Sequence, residues 1–107
     1  MTKSITITLN HDLGAEEARR RLETGLEALR RQFGDKVGSA SVKWTDNHAD
    51  VHVAAMGQTV DAGIDVAPSV VTIEVRLPWL LAAFAEKARG FIEKSGADAL
   101  RLPPPSA

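Results

Sequence analysis

The chain opens with two segments whose apolar residues follow different periods. Residues 4–10 alternate apolar and polar side chains, which is typical of a strand with one buried face. Residues 15–33 change to steps of three and four, which predicts an amphipathic helix that starts after Gly14 and ends at Gly34. The apolar face of that helix contains Ala18, Leu22, Leu26, Leu29 and Phe33.

Four further alternating segments follow in the middle of the chain. Each has an apolar residue at every second position, and three short breaks with turn chemistry separate them, around residues 46–48, 56–57 and 67–69. Breaks this short permit only hairpins, so the four strands are expected to be antiparallel neighbours. Their inward residues are Ala40, Val42 and Trp44, then Val51, Val53 and Ala55, then Val60, Ala62, Ile64 and Val66, then Val71, Ile73, Val75 and Leu77.

A second helix is predicted over residues 78–95. Pro78 suits the first helical position, and Gly96 is a plausible stop. Residues 97–102 could add one more turn, whereas the three prolines at 103–105 cannot lie inside a helix. On a wheel of 3.6 residues per turn, the apolar face contains Leu80, Leu81, Phe84, Ala88, Phe91 and Ile92.

The element order β-α-β-β-β-β-α predicts an α+β fold. We expect one domain over residues 1–102, with a five-stranded antiparallel sheet and two helices on one face, and a flexible proline-rich tail at 103–107. This order matches the TBP-like and helix-grip architectures, an analogy that fixes no function. If the strand order resembles that of TBP, the first strand and the strand around 40–45 form the two edges of the sheet.

Composition narrows the function classes. The chain has 107 residues, a formal net charge of −1 and no cysteine, so disulfides, thiol catalysis and thiolate metal sites are excluded. The first residues carry no apolar stretch typical of a signal peptide, and no apolar run is long enough to cross a membrane. We therefore expect a cytoplasmic protein without a membrane span.

One cluster of titratable residues, His48, Asp50 and His52, could hold a metal ion or support acid–base chemistry. Residues four apart on a strand lie about 13 Å apart, so the two histidines cannot ligate one ion, and at most Asp50 and one histidine could share it with help from a neighbouring strand. Hairpin registers instead predict cross-strand charge pairs, which are ordinary sheet stabilisation. The sequence therefore predicts no metal site, no cofactor and no enzyme. The predicted pairs are His48 with Asp65 and a row across the strands, Lys43–His52–Asp61–Arg76. The first pair of this row assumes that residues 46–49 form the loop, which places Lys43 opposite His52.

Nucleic-acid binding is not expected. A sheet that binds nucleic acid needs basic residues or stacking aromatics on its exposed face. The polar face predicted here carries four carboxylates against Lys43 and Arg76 and has no aromatic side chain. The arginines of the first helix are interleaved with glutamates.

Trp79 is the one large residue that the packing of the second helix does not explain, because it lies nearly opposite the apolar face of the wheel. Two interpretations stay open. Trp79 could fold back over the adjacent loop, or it could be a partly exposed apolar anchor, since exposed aromatics beside small residues suit partner contacts.

Two segments resemble those of a known family. The first is N-H-D-L-G at residues 10–14, followed by E-A-R-R at 17–20, and the second is V-R-L-P-W-L-L-A-A-F at 75–84. With the four strands between them, the chain resembles the polyhydroxyalkanoic acid system proteins, a small bacterial family. The resemblance implies a cytoplasmic protein linked to polyhydroxyalkanoate storage, at the granule. His11 matches the family's most recognisable position, where it either braces the turn before the helix or contacts a ligand or partner.

These observations support two functional hypotheses from different classes. The first is a non-enzymatic accessory protein that meets the polyhydroxyalkanoate granule surface or a granule protein near His11 and Trp79, both at predicted helix starts. The second is a carrier of a small apolar ligand, of the helix-grip type, which would need a cavity of several hundred Å3 between sheet and second helix. The apolar side chains look just sufficient to fill one core, which favours the first hypothesis.

Overall fold

The computed structural model describes residues 2–33, 39–55 and 57–100. The predicted helix stop at Gly34, the turn residue Met56 and the proline-rich tail at 103–107 lie outside the described residues. The elements, in chain order, are β1 (Thr2–Asn10), α1 (Ala15–Phe33), β2 (Ser39–Thr45), β3 (His48–Ala55), β4 (Gln58–Val66), β5 (Val70–Pro78), a 3-10 helix (Trp79–Phe84) and α2 (Ala85–Leu100).

The five strands form one antiparallel sheet in the order β1-β5-β4-β3-β2. The α+β prediction is therefore confirmed, and so are the two predicted edge strands, β1 and β2. The order follows from loop lengths, because β2 to β5 are joined by short hairpin connections and must be neighbours. β1 then pairs along its whole length with β5, from Thr2 opposite Pro78 to Asn10 opposite Val70.

One face of the sheet and both helices share a single core. Ile5, Ile7 and Val71 are the largest side chains with almost no exposure, and they lie on the inward face of β1 and β5. Ala18 and Leu22 of α1 and Ala99 and Leu100 of α2 are buried against this face. The prediction that both helices cover one face is confirmed.

The start of α1 combines a special backbone conformation with ion pairs. Gly14 has φ 82°, which an L side chain rarely adopts, and its carbonyl accepts the first helical hydrogen bond from the Ala18 N–H at 3.1 Å. Two arginines one turn further along, Arg20 and Arg21, donate to the Glu17 carboxylate at 2.5 and 2.8 Å. These hydrogen bonds lower the pKa of Glu17 to about 2.

The predicted second helix over 78–95 is wrong at its start and in its stop at Gly96, whereas the further turn that residues 97–102 could add is present up to Leu100. Pro78 is the last residue of β5, with φ −58° and ψ 153°, and the chain continues as a 3-10 helix before α2 starts at Ala85. A 3-10 helix has three residues per turn, so a wheel of 3.6 residues per turn misplaces its side chains. Leu80, Phe84 and Phe91, which the wheel placed in the core, are about half exposed.

Gly96, predicted as the stop, lies inside α2 and is buried. A Cβ on Gly96 would lie 2.5 Å from Leu9 Cδ1, so the glycine leaves room for Leu9 of β1. Gly25 of α1 has a similar role, because a Cβ there would lie 2.8 Å from the Cβ of Ala99. Glycine at these two positions therefore permits the close approach of α2 to β1 and to α1.

Candidate functional site

The 3-10 helix presents large apolar side chains to solvent. Trp79 is 66% exposed, Leu80 52% and Phe84 56%, and none of the six residues of this helix is buried. Its position follows from the strand before it, because β5 ends beside the start of β1 and the chain must turn there to reach α2. Trp79 is therefore largely exposed, and its predicted role as an anchor for a partner stays a prediction.

Apart from the indole N–H of Trp79, this segment has no polar side chain with which to hydrogen-bond a ligand. From Trp79 to Ala85 every residue is Trp, Leu, Ala or Phe. Leu81 packs partly against the core and fixes the segment, while Ala83, like its large neighbours, is exposed. Apolar surface in such a cluster is typical of sites that contact proteins, membranes or other apolar phases. We call the exposed side chains of Trp79, Leu80, Ala83 and Phe84 the apolar patch.

His11 joins two loops. Its Nδ1 accepts a hydrogen bond from the Leu13 N–H at 3.1 Å, and its Nε2 lies 3.0 Å from the Ala67 carbonyl oxygen. An accepting Nδ1 requires the tautomer with hydrogen on Nε2, which then donates to Ala67. The His11 N–H also donates to the Ser69 carbonyl at 3.0 Å. The bracing role of His11 thus has all its bonds in place, and its predicted contact with a partner stays a prediction.

The structure does not bring His11 and Trp79 together. His11 follows Asn10, which pairs with Val70, whereas Trp79 follows Pro78, which pairs with Thr2. Eight residues of strand separate the two ends, a distance of roughly 26 Å. The two predicted contact residues therefore lie at opposite ends of the sheet and cannot form one small site.

The polar face of the sheet carries the histidines that the sequence singled out. His48 Nδ1 lies 2.6 Å from Asp65 Oδ1 and its Nε2 lies 3.1 Å from Asp50 Oδ1, so one imidazole bridges two carboxylates. The hydrogen bond to Asp65, and then that to Asp50, raise the pKa of His48. His52 Nδ1 lies 2.5 Å from Asp61 Oδ1. The predicted pairs His48–Asp65 and His52–Asp61 are confirmed.

The predicted pair Lys43–His52 is wrong. The turn between β2 and β3 contains only Asp46 and Asn47, not four residues, which shifts the register by two. Lys43 therefore faces Asp50, and Ser41 faces His52. Asp61 faces Arg76 as predicted, although the Arg76 guanidinium donates to Glu74 at 2.9 Å. Among the described residues, no group of three or more histidine or acidic side chains could hold a metal ion.

A cavity of about 250 Å3 lies between the two helices and the sheet. Leu26 and Leu29 of α1, Val53 and Val60 of the sheet and Phe91 of α2 are among its lining residues. Ser95 carries the one polar side chain of the lining. The expectation that the apolar side chains just fill the core is therefore not met at this place, because Gly25, Ala62, Gly96 and Ala99 contribute little volume to it.

Sequence reasoning found Trp79 but missed Leu80 and Phe84, its neighbours in the apolar patch. A signal was present, since the chain has seven consecutive residues without a charge or a hydrogen-bonding side chain other than the indole, directly after Pro78. The cavity has no comparable signal, because its volume depends on how closely α1 approaches α2. Within the described part of the chain, no helix is both long enough and apolar enough to span a membrane.

Comparison with protein families gives a match over nearly the whole chain. The family described as "Putative polyhydroxyalkanoic acid system protein" matches residues 5–100. The resemblance that the sequence motifs indicated is confirmed. Comparison with curated protein sequences gives no match.

Solved structures with a similar fold include norcoclaurine synthase from Thalictrum flavum. Its truncated form is 12% identical with a TM-score of 0.56, and the alignment covers 94% of this chain and 91% of that chain. The same enzyme in complex with dopamine and hydroxybenzaldehyde is 11% identical with a TM-score of 0.54, covering 94% and 84%. At such low identity the likeness establishes the fold alone, which is of the helix-grip kind.

Proposed function

This chain belongs to the polyhydroxyalkanoic acid system proteins, and from that premise we propose that it is a non-enzymatic accessory protein that attaches to the surface of polyhydroxyalkanoate granules. The apolar patch on the 3-10 helix is the attachment site. One observation carries the proposal: Trp79, Leu80 and Phe84 are all more than half exposed on one short segment. A stored polyester presents an apolar surface, which is the chemistry that such a segment matches.

The amount of buried area decides how strong this attachment is. Full burial of one large apolar side chain is worth about 1.5–3 kcal/mol, and roughly half of that gain is still available for each of the three side chains. Contact would therefore contribute about 3 kcal/mol in total. This is enough for reversible adsorption to a surface and too little for permanent anchoring, so the protein exchanges between granule and solution.

The non-enzymatic part of the proposal is supported by the polar face. His48 and His52 are both engaged by carboxylates on the same or the neighbouring strand. Both ring nitrogens of His48 are thereby occupied, which leaves none with which to take a proton from a substrate, and the His52–Asp61 pair is a cross-strand contact of the kind that stabilises a sheet.

Granule fractionation tests the proposal. Tagged wild-type protein, Trp79→Ala and the double variant Trp79→Ala/Phe84→Ala are expressed in polymer-producing cells, and granules are separated from soluble protein. Wild type is expected in both fractions, and each removal of an aromatic ring lowers the granule share, by about fivefold or more for the double variant. Ala28→Ser, which changes an exposed apolar residue of α1 outside the apolar patch, is the control and keeps the wild-type share.

Two results would contradict the proposal. Wild type could stay entirely soluble in cells full of polymer, or the double variant could distribute between fractions as wild type does. Circular dichroism of each purified variant checks that its fold is intact, so that a loss of granule share cannot come from unfolding.

A second candidate function, the carrier of a small apolar ligand, is favoured by the cavity between helices and sheet. Its volume of about 250 Å3 lies just below the roughly 300–1,000 Å3 of typical ligand sites. A short acyl chain with one polar end would fit the apolar lining and the Ser95 hydroxyl. We rank this function second because the cavity is small.

Titration with octanoic acid tests the carrier function by isothermal calorimetry. Ala62→Leu would fill the cavity from β4 and abolish binding, whereas Thr59→Val on the polar face of the same strand would leave it unchanged. Absence of heat with wild type, or equal binding by Ala62→Leu, excludes the cavity as the site for this ligand class.

A further inference from the structure

The two edges of the sheet differ in how they are covered. Register determines which backbone groups point outward, because the residues that flank a two-residue turn exchange both hydrogen bonds and the pattern then alternates. Thr45 and His48 flank the turn Asp46–Asn47. Along β2, residues 39, 41, 43 and 45 therefore bond to β3, and the N–H and C=O groups of Ala40, Val42 and Trp44 point away from the sheet.

The same alternation of bonded and outward residues can be followed through the pairings of β3, β4 and β5 to β1. It shows that the backbone carbonyl of Thr6 points outward from the β1 edge. There the Arg89 guanidinium of α2 donates to this oxygen at 3.0 Å. α2 also packs Gly96 against Leu9 of β1. The β1 edge is thus partly closed by the chain itself, which is one way in which proteins protect an edge strand.

The β2 edge has no such cover among the described residues, where β3 is its single neighbour. β2 pairs regularly over seven residues and contains no proline and no glycine. Its one charge is Lys43, and its Val42 is 39% exposed on the face that carries the helices. A long, regular, weakly charged edge is the kind that recruits another strand.

We propose that β2 pairs antiparallel with β2 of a second copy of this chain, forming a two-fold dimer with a continuous ten-stranded sheet. The two-fold axis lies at Val42. This register places Val42 opposite Val42 and Ala40 opposite Trp44 of the second copy, so all outward backbone groups of the strand are used.

This register is the one that pairs all seven residues of the strand, and its side chains fit together. Ala40 gives room beside the larger Trp44, and the two valines form a β-branched pair. Lys43 lies opposite Ser41 of the second copy. A register centred on Lys43 instead of Val42 would place the two Lys43 ammonium groups directly opposite each other. Like charges in that position destabilise a sheet.

The charges that line the groove between α1 and β2 are also self-complementary under this axis. The groove has Glu23 at one end and Arg30 at the other, with Leu26 and Glu27 between them. Because a two-fold axis reverses the helix direction, the Glu23 end of the groove in one copy lies toward the Arg30 end in the other. The proposal therefore commits to a second copy of this chain as the occupant of the β2 edge.

Sedimentation equilibrium tests the proposal. The wild type is expected to reach twice its 11.5 kDa mass as concentration rises, and Val42→Pro to remain a monomer. Proline at 42 removes an outward N–H and none of the bonds to β3, so the variant keeps its own sheet. Ser4→Pro makes the same change at an outward position of the covered β1 edge and should still dimerise. A monomeric wild type, or a dimer that survives Val42→Pro, overturns the proposal.

Amide exchange in the wild type gives a second readout that needs no variant. On dilution, the amides of Ala40, Val42 and Trp44 should exchange about tenfold faster or more, while those of Ser41 and Lys43 keep their protection from β3. If the outward amides and the amides bonded to β3 change their exchange rates equally on dilution, β2 does not pair with a second copy. This holds even if the protein dimerises through another surface.

Discussion

The crossing of α1 and α2 depends on one missing methyl group, and Gly25→Ala tests this directly. A Cβ at position 25 would lie 2.8 Å from the Cβ of Ala99, which is attached to the α2 backbone and cannot rotate away. Replacing glycine by alanine inside a helix normally stabilises it by about 1 kcal/mol. Overpacking of a close contact costs about 1–3 kcal/mol. The expected net effect is a loss of up to about 2 kcal/mol.

Gly90→Ala is the matched control, because a Cβ there meets no atom within 4 Å. It should raise the free energy of unfolding by up to about 1 kcal/mol. Urea unfolding followed by circular dichroism gives both values, and Ala99→Gly in the Gly25→Ala background should restore much of the loss because it removes the opposing methyl. If Gly25→Ala stabilises the protein as much as Gly90→Ala does, the close approach of the two helices at Gly25 is refuted.

Two further predictions concern the histidines. Because its pKa is raised in the folded state, His48 stabilises the fold below its ordinary pKa of 6.5 and loses that contribution as the pH rises through the raised value. The difference in free energy of unfolding between wild type and His48→Gln should therefore shrink from pH 5.5 to 8.5. Urea unfolding measures this difference, and a value that stays constant with pH would contradict the hydrogen bonds of His48 to the two carboxylates. His11→Ala leaves the Leu13 N–H and the Ala67 carbonyl without their partner and should cost about 1–3 kcal/mol, whereas Asp12→Ala beside it should be nearly neutral by the same assay.

The strands were predictable from sequence because apolar residues alternate along each of them and the short turns between them permit few strand registers. The inward alternation of β3, β4 and β5 and the registers through Met56–Gly57 and residues 67–70 followed from turn length alone. The register of β2 was mispredicted because turn chemistry extends over Asp46, Asn47 and His48, and the sequence does not mark where pairing resumes. A difference of two turn residues moved Lys43 from His52 to Asp50.

The second helix was the part that local patterns described least well. Pro78 suits a helix start, but β1 offers Pro78 a strand partner in Thr2, and this pairing extends β5. Gly96 suits a helix end, but α2 continues through it to Leu100, and the missing Cβ leaves room for the Leu9 side chain. Each residue is compatible with two local conformations, namely strand or helix start for Pro78 and helix interior or helix end for Gly96. In both cases the observed conformation is the one that agrees with a tertiary contact. The 3-10 helix that carries the apolar patch starts directly after Pro78, and Gly96 is one of the residues that line the cavity.

The central claim is that the apolar patch itself meets the polymer, and the fluorescence of Trp79 measures this most directly. The chain has two tryptophans, so Trp44→Phe leaves Trp79 as the single indole emitter. Titration of this variant with polyhydroxyalkanoate particles should move the Trp79 emission to shorter wavelength as the ring leaves water, and Phe84→Ala should weaken that shift. Emission that stays at its solvent-exposed wavelength while the protein sediments with the particles would show attachment through another surface and contradict the account.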